Sequence, residues 1–388
     1  MKLRVPSGLL VAVLAAAMVI ALAPYGRATA MILRAAGTSG WLGRAARWDA
    51  RPVADTLEEI STPEGRLRVR IFRPSGGATH ATLLVSGVHP EGIDEPRLVD
   101  LARDLSATGV TVVTPDIPDL RRYRLTARVT DTIEHTALWL TTRHDLSSGR
   151  RVGMIGVSFS GGLSVVAAGR ELLRDRVAYV LSFGGHGNLP RVLQYLCTGV
   201  EPSPRGGVPG AQRRPHDYAL AVLLHQAADL LVPADQVDLL RRGLETFLQA
   251  SALAREDQER SLEMFQLGKG LQQQLPEPSA TLIKYVNDRD VVALGAKLLP
   301  YLDRLGQDPA LSPERSAPPS APVYLLHGTD DNVIPAVESE LLAAHLKTYT
   351  RVRWLASGFL THVDVSGRPT LGETWQMIAF WKAALGER

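Results

Sequence analysis

Residues 151–162 read "RVGMIGVSFSGG", and the reading of this stretch decides the fold. A short apolar run ends in Gly156, a lone serine stands at Ser158, and Ser160, Gly161 and Gly162 follow before the chain becomes "LSVVAAG" at 163–169. A serine that attacks a carbonyl has to project from the backbone at the end of a strand. Small neighbours are then required, because the turn from strand into helix is sharp and tightly packed. Gly156 and Ser160, two residues either side of Ser158, supply that smallness. The competing reading is a chance Gly-x-Ser in an ordinary βα turn, so the surrounding chain has to decide.

Outward from this turn, strands and amphipathic helices alternate. "RLRVRIF" (66–72), "ATLLVSG" (81–87), "VTVVTPDIP" (110–118) and "RVAYVLSFGG" (176–185) read as strands, while "PRLVDLARDLSATG" (96–109), "VTDTIEHTALWLTTRHD" (129–145) and "GGLSVVAAGRELL" (161–173) read as helices. Successive βαβ units imply an α/β fold whose mostly parallel sheet carries helices on both faces. The rhythm stops over 187–321, far longer than a crossover needs, where "ALAVLLHQAADLLV" (219–232) and "DQVDLLRRGLETFLQASA" (235–252) predict a helical insertion. It resumes with the strand "PVYLLHG" (322–328), a helix after Pro335, the strand "RVRWLASG" (351–358) and the helix "ETWQMIAFWKAAL" (373–385). The expected division is therefore a core in two parts, 55–186 and 322–388, a helical cap at 187–321, and two N-terminal segments, 1–30 and 31–54.

In this setting, residues 156–162 resemble the nucleophile elbow of the α/β-hydrolase superfamily, whose pattern is G-x-S-x-G, with Ser160 in place of the final glycine. The resemblance covers the chain from about residue 55 to the C-terminus apart from the cap, and implies an α/β-hydrolase fold with Ser158 as nucleophile. It also implies the chain order Ser, acid, His for the catalytic groups. "HGTDDNVIP" (327–335) is similar to the superfamily's HGxxDxxxP loop, which puts the acid at Asp331, with its neighbour Asp330 as the alternative. Of the ten histidines, His362 in "SGFLTHVDV" (357–365) follows the last predicted strand, where the superfamily places its base. His327, at the end of a strand, is expected to brace its loop. The oxyanion donors implied are the backbone N–H groups of Phe159, next to the nucleophile, and of Val88, after Ser86-Gly87. His89 and Pro90 then shape the pocket mouth. The "SxSGG" run and the short loop after "TLLVSG" look closer to esterases and to dienelactone-hydrolase-like or prolyl-peptidase-like enzymes than to lipases with an HGGG loop.

These residues imply a serine hydrolase that cleaves a carboxylic ester or related small-molecule acyl compound through an acyl-enzyme. The alternatives are a catalytically silent member that binds a partner at the membrane, and a serine peptidase with the same triad. No cofactor is expected. No metal site is expected either, since neither H-E-x-x-H nor a clustered Cys/His set occurs.

Bulk properties agree with a large globular chain: 388 residues, 45% hydrophobic, formal charge +3. The basic residues form no stripe, so nucleic acid is not an expected partner. A single cysteine, Cys197, excludes an intrachain disulfide framework. The N-terminus carries Lys2 and Arg4 and then no charge from Val5 to Gly26, with "LLVAVLAAAMVIALA" at its centre. This reads as a signal peptide or a membrane anchor. Ala21-Leu22-Ala23 and Ala28-Thr29-Ala30 both satisfy a small-x-small cleavage pattern, while "MILRAAGTSGWLGRAARW" (31–48) reads as an arginine-bearing segment suited to an anionic membrane surface. The expected location is membrane-anchored through the N-terminus, or exported, with the orientation open.

Overall fold

The structure, a computed structural model, describes residues 22–78, 80–146, 151–204, 210–254, 256–358, 360 and 370–387. Most of the uncharged N-terminal run lies outside them, as does His362. Among the described residues, no helix is long and apolar enough to cross a membrane.

Eight strands form one sheet: β1 (Val53–Thr62), β2 (Gly65–Pro74), β3 (Ala81–Val85), β4 (Thr111–Pro115), β5 (Val152–Val157), β6 (Val177–Phe183), β7 (Val323–Gly328) and β8 (Val352–Ser357). Their spatial order is β1-β2-β4-β3-β5-β6-β7-β8. β2 pairs antiparallel with both β1 and β4, and every pairing from β4 across to β8 is parallel. Composition explains the placement. β3 and β4 are buried at every position, as expected of central strands covered on both faces. β1 keeps Asp55, Glu58 and Glu59 along a half-exposed edge, where charge discourages pairing with another chain. β1 starts two residues earlier than the expected core boundary at residue 55.

Helices cover the two faces separately. On one face lie α1 (helical over 22–35), α3 (Pro96–Ser106) and α14 (Leu371–Leu385), whose Met31, Leu98, Leu105, Met377 and Phe380 pack on Leu84, Val112 and Leu181. The short helix α2 (Gly40–Arg47) precedes β1. On the other face, α5 (Ala127–Thr142) and α6 (Phe159–Gly169) pack on Leu83, Val113 and Met154, together with α13 (Val337–Leu346). α4 (Pro118–Arg121) is a single turn after β4.

The N-terminal segment is part of this body. Ala28 and Met31 are buried, Tyr25 stacks on Trp375 with ring centroids 5.4 Å apart, and the Lys382 ammonium lies 4.9 Å from the Tyr25 ring centre. Arg34, expected among the arginines facing a membrane, turns inward instead. It donates to Asp104 Oδ1 at 3.0 Å and to the Ala46 carbonyl at 2.8 Å.

Between β6 and β7 come α7 (Leu189–Thr198), α8 (Asp217–Leu231), α9 (Ala234–Leu253), α10 (Gln258–Gln272), α11 (Ser279–Asn287) and α12 (Val291–Leu298). The buried side chains of α8, among them Leu220, Leu223 and Leu224, join the apolar cluster under the sheet that contains Val85 and Ile117. The insertion is thus packed into the body rather than hung from it.

Candidate active site

β5 delivers Ser158 to the carboxyl edge of the sheet, next to β3 on one side and β6 on the other. The crossovers leave this point in opposite directions, to β4 and to β6, the arrangement at which open α/β sheets place their ligands. Ser158 takes φ 59° and ψ −135°, a conformation that L-residues avoid and that persists only where the surroundings enforce it. They do so here. The Ser158 N–H donates to the Phe183 carbonyl at 2.7 Å, its carbonyl accepts from the Gly161 N–H at 2.8 Å, and α6 begins at the next residue. The glycine at 156 is obligatory, because a Cβ there would stand 2.2 Å from the Ser160 carbonyl oxygen.

Ser160, standing where the motif has glycine, is fully buried and donates from Oγ to the Ser86 carbonyl at 2.6 Å. The departure from the pattern therefore ties the serine turn to the loop after β3. In that loop Gly87 faces the serine, since a Cβ added to it would lie 3.5 Å from Ser158 Cβ. Val88 comes next, its carbonyl accepting from the Tyr218 hydroxyl of α8 at 3.0 Å. The Phe159 N–H heads the first turn of α6, where N–H groups have no intrahelical acceptor. Its ring packs beside the His186 imidazole, centroids 5.5 Å apart.

The β7–α13 loop separates the two aspartates. Asp331 is 1% exposed, and its Oδ1 accepts from the Val333 and Ile334 N–H groups at 2.8 and 2.9 Å. Asp330 points outward, its side chain 72% exposed and 3.6 Å from the Arg213 guanidinium. His327 braces the loop: its Nε2 donates to the Ile334 carbonyl at 2.8 Å and lies 3.2 Å from Asp331 Oδ2, and its Nδ1 is 2.7 Å from Ser339 Oγ. His362 lies outside the described residues, so its distance to either partner is not part of the described geometry.

Several other histidines are occupied elsewhere. His135 lies 3.0 Å from Glu64, and His216 Nδ1 accepts from the Tyr218 N–H at the start of α8. His186, after β6, is fully buried with Nε2 2.7 Å from the Leu311 carbonyl, and burial pushes its pKa below the ordinary histidine range. Burial also lowers His89, in the loop after β3, against an opposing pull from Glu95.

The sequence places the cap, inserted between two strands, over the sheet edge that carries Ser158, but it has no signal for the individual contacts the cap makes. The Tyr195 hydroxyl donates to the Asn332 carbonyl at 3.1 Å, the His216 N–H donates to the same carbonyl at 2.9 Å, and Tyr218 reaches Val88. Residues 213–218 thus touch both the acid loop and the loop after β3.

No family model and no curated protein sequence matches the chain. Among solved structures it is similar to an esterase of Pyrobaculum calidifontis, at 17% identity and TM-score 0.44 over 86% of this chain and 85% of that one. It is also similar to an acylaminoacyl peptidase of Pyrococcus horikoshii, at 12% identity and TM-score 0.45 over 89% of this chain and 42% of that one. A puromycin-hydrolysing peptidase of Mycobacterium tuberculosis stands at 15% identity and TM-score 0.43 over 86% and 40%. On its own strand order, with β2 alone reversed within the body of the sheet and the strained serine between β5 and α6, the chain has the α/β-hydrolase fold.

Proposed function

We propose that this protein is a serine hydrolase cleaving a carboxylic ester or related acyl compound, with Ser158 as nucleophile, His362 as base and Asp331 as the acid that orients it. The observation that carries the reading is the backbone of Ser158. A positive φ on a non-glycine residue, held at a strand end, is strain of the kind kept at reacting centres. Ser158 Oγ adds to the substrate carbonyl while His362 takes its proton. The Val88 and Phe159 N–H groups receive the resulting oxyanion. Collapse expels the alcohol, which takes the proton back from His362, and leaves an acyl-Ser158. Water then repeats the sequence, releasing the carboxylic acid and restoring the serine.

Acyl esters of graded chain length, assayed with wild type and Ser158→Ala side by side, test this. The alanine variant should fold and lose at least about 10³-fold in turnover, and a fluorophosphonate should label wild type at Ser158 only. Near-wild-type turnover in the variant removes the nucleophile assignment, and hydrolysis of peptides but not esters moves the substrate to the peptidase alternative. A folded wild type that neither turns over nor takes the label is the silent member.

The N-terminal run serves as a retained membrane anchor. Support comes from the docking of α1: a cut after Ala30 would strip Tyr25 and Ala28 from the body and uncover the apolar surface they meet. Fractionated cells and N-terminal sequencing decide it. A mature chain starting at Met31 contradicts the packing, one starting at Pro24 makes the run a signal peptide, and a soluble chain starting at Met1 removes both.

A further inference from the structure

The oxyanion donor at Val88 belongs to the peptide between Gly87 and Val88, and two hydroxyl groups from different parts of the fold hold the peptides on either side of it. Upstream, Ser160 Oγ donates to the Ser86 carbonyl at 2.6 Å. Downstream, Tyr218 Oη donates to the Val88 carbonyl at 3.0 Å. Between these fixed points only φ and ψ of Gly87 and of Val88 remain free. Glycine is the residue whose backbone is least restrained by its own sterics, so without both pins the Gly87–Val88 peptide is free to rotate its N–H away from Ser158. A Cβ on Gly87 would come only into ordinary contact with Ser158 Cβ, at 3.5 Å, and Gly87 carries none to restrain the turn. The restraint therefore has to come from outside the loop.

One pin belongs to the elbow and the other to the cap. Tyr218 stands in the first turn of α8, and the adjoining residues fasten that turn to the acid loop: the His216 N–H donates to the Asn332 carbonyl at 2.9 Å, and Arg213 lies 3.6 Å from Asp330. The Tyr218 ring packs with Val88 against the apolar cluster shared by cap and sheet. A displaced cap would carry the phenol away from Val88 and release the donor peptide at one end.

We propose that Tyr218 is a positioning residue for the oxyanion hole, through which the seated cap sets the Gly87–Val88 peptide in its donating orientation. The inference rests on the serine-hydrolase reading of the site. Preorganised donors act on the transition state far more than on the bound substrate, so loss of the phenol falls on kcat and not on KM.

The test uses the full chain and a matched pair of substrates, an ester and its thiono analogue, in which sulfur replaces the carbonyl oxygen. Sulfur is larger and a weaker acceptor, so a well-formed hole favours the oxygen compound strongly. Tyr218→Phe keeps the ring and removes only the hydroxyl. Its kcat on the oxygen ester should fall by about tenfold or more, KM should stay within about twofold, and the oxygen-to-sulfur ratio of kcat/KM should fall by nearly the same factor as kcat. Tyr195→Phe removes a cap hydroxyl of the same kind that reaches Asn332, and should leave the ratio at the wild-type value whatever it does to the rate. A Tyr218→Phe enzyme with unchanged kcat, or with both substrates slowed equally so that the ratio holds, overturns the proposal while leaving the hydrolase intact. Should that variant not fold, the same ratio is read on Ser160→Ala, which frees the other end of the same stretch, and an unchanged ratio there overturns it. A wild type that hydrolyses no ester and takes no fluorophosphonate overturns the hydrolase reading and this inference together.

Discussion

At Asp331 the loop's own backbone sets the side chain: Oδ1 is engaged by two consecutive N–H groups and the carboxylate is shut from solvent. That arrangement, with His327 Nε2 3.2 Å from Oδ2, fixes its direction, which is what an orienting acid needs. Asp330 makes an exposed ion pair with Arg213, and such pairs contribute about 0–1 kcal/mol. Asp331→Asn should therefore lower kcat by as much as about 10⁴-fold, the scale of a misoriented triad histidine. Asp330→Asn should keep turnover within about threefold. Steady-state kinetics on both variants check this, and the reverse order moves the acid by one residue. The "DD" pair in the sequence offered both. The loop spacing favours Asp331, and burial separates the two in the fold, through the way β7 leads into α13.

Element by element, the charged edge of the sheet is held by ion pairs whose pH dependence can be read. Asp55 on β1 accepts from Arg70 Nε on β2 at 2.8 Å and from Arg103 Nη2 on α3 at 2.9 Å. The Arg70 hydrogen bond, partly offset by burial and reinforced by Arg103, holds its carboxyl below the ordinary aspartate range. A depressed folded-state value means that the contribution is complete above the unfolded pKa, about 3.9. It is lost as the pH falls through that value toward the folded one. Asp55→Asn should thus melt below wild type at neutral pH, with the gap closing as the pH is lowered from about 5 to about 2. Melting curves across that range decide it; a gap that is constant with pH removes the ion pair as its cause. Strand periodicity placed β2 correctly, whereas its partnership with α3 through Asp55 came only with the fold.

On the scale of the whole molecule, the cap is secured where the chain leaves the sheet and where it returns. Arg191 on α7 donates to Glu338 of α13 at 2.5 and 3.0 Å and to Glu314, just before β7, at 2.8 and 2.7 Å. Glu338 is fully buried and also accepts from the Gly187 and Asn188 N–H groups at 3.0 Å each. Removing the guanidinium leaves a buried carboxylate without its counter-charge. Arg191→Met should cost about 3–5 kcal/mol in denaturant unfolding. Glu338→Gln added to it should recover part of that loss, because the buried charge is then gone. A variant within about 1 kcal/mol of wild type, the scale of an exposed pair, would show that the clamp contributes little.

The sequence by itself determined the alternation of strands and helices, the insertion between β6 and β7, and the serine turn. Each depends on local spacing: apolar runs of strand length, glycines at a sharp corner, helical periodicity across the insertion. Tertiary structure alone decided that Asp331 is inside and Asp330 outside, that Ser160 reaches the Ser86 carbonyl, that Arg34 turns inward, and that Tyr218 of the cap meets Val88. These pairs are far apart in the chain or differ only in the direction of a side chain. No periodicity encodes which backbone carbonyl a hydroxyl will meet, because that is settled by how the sheet edge, the loop after β3 and the cap close on one another.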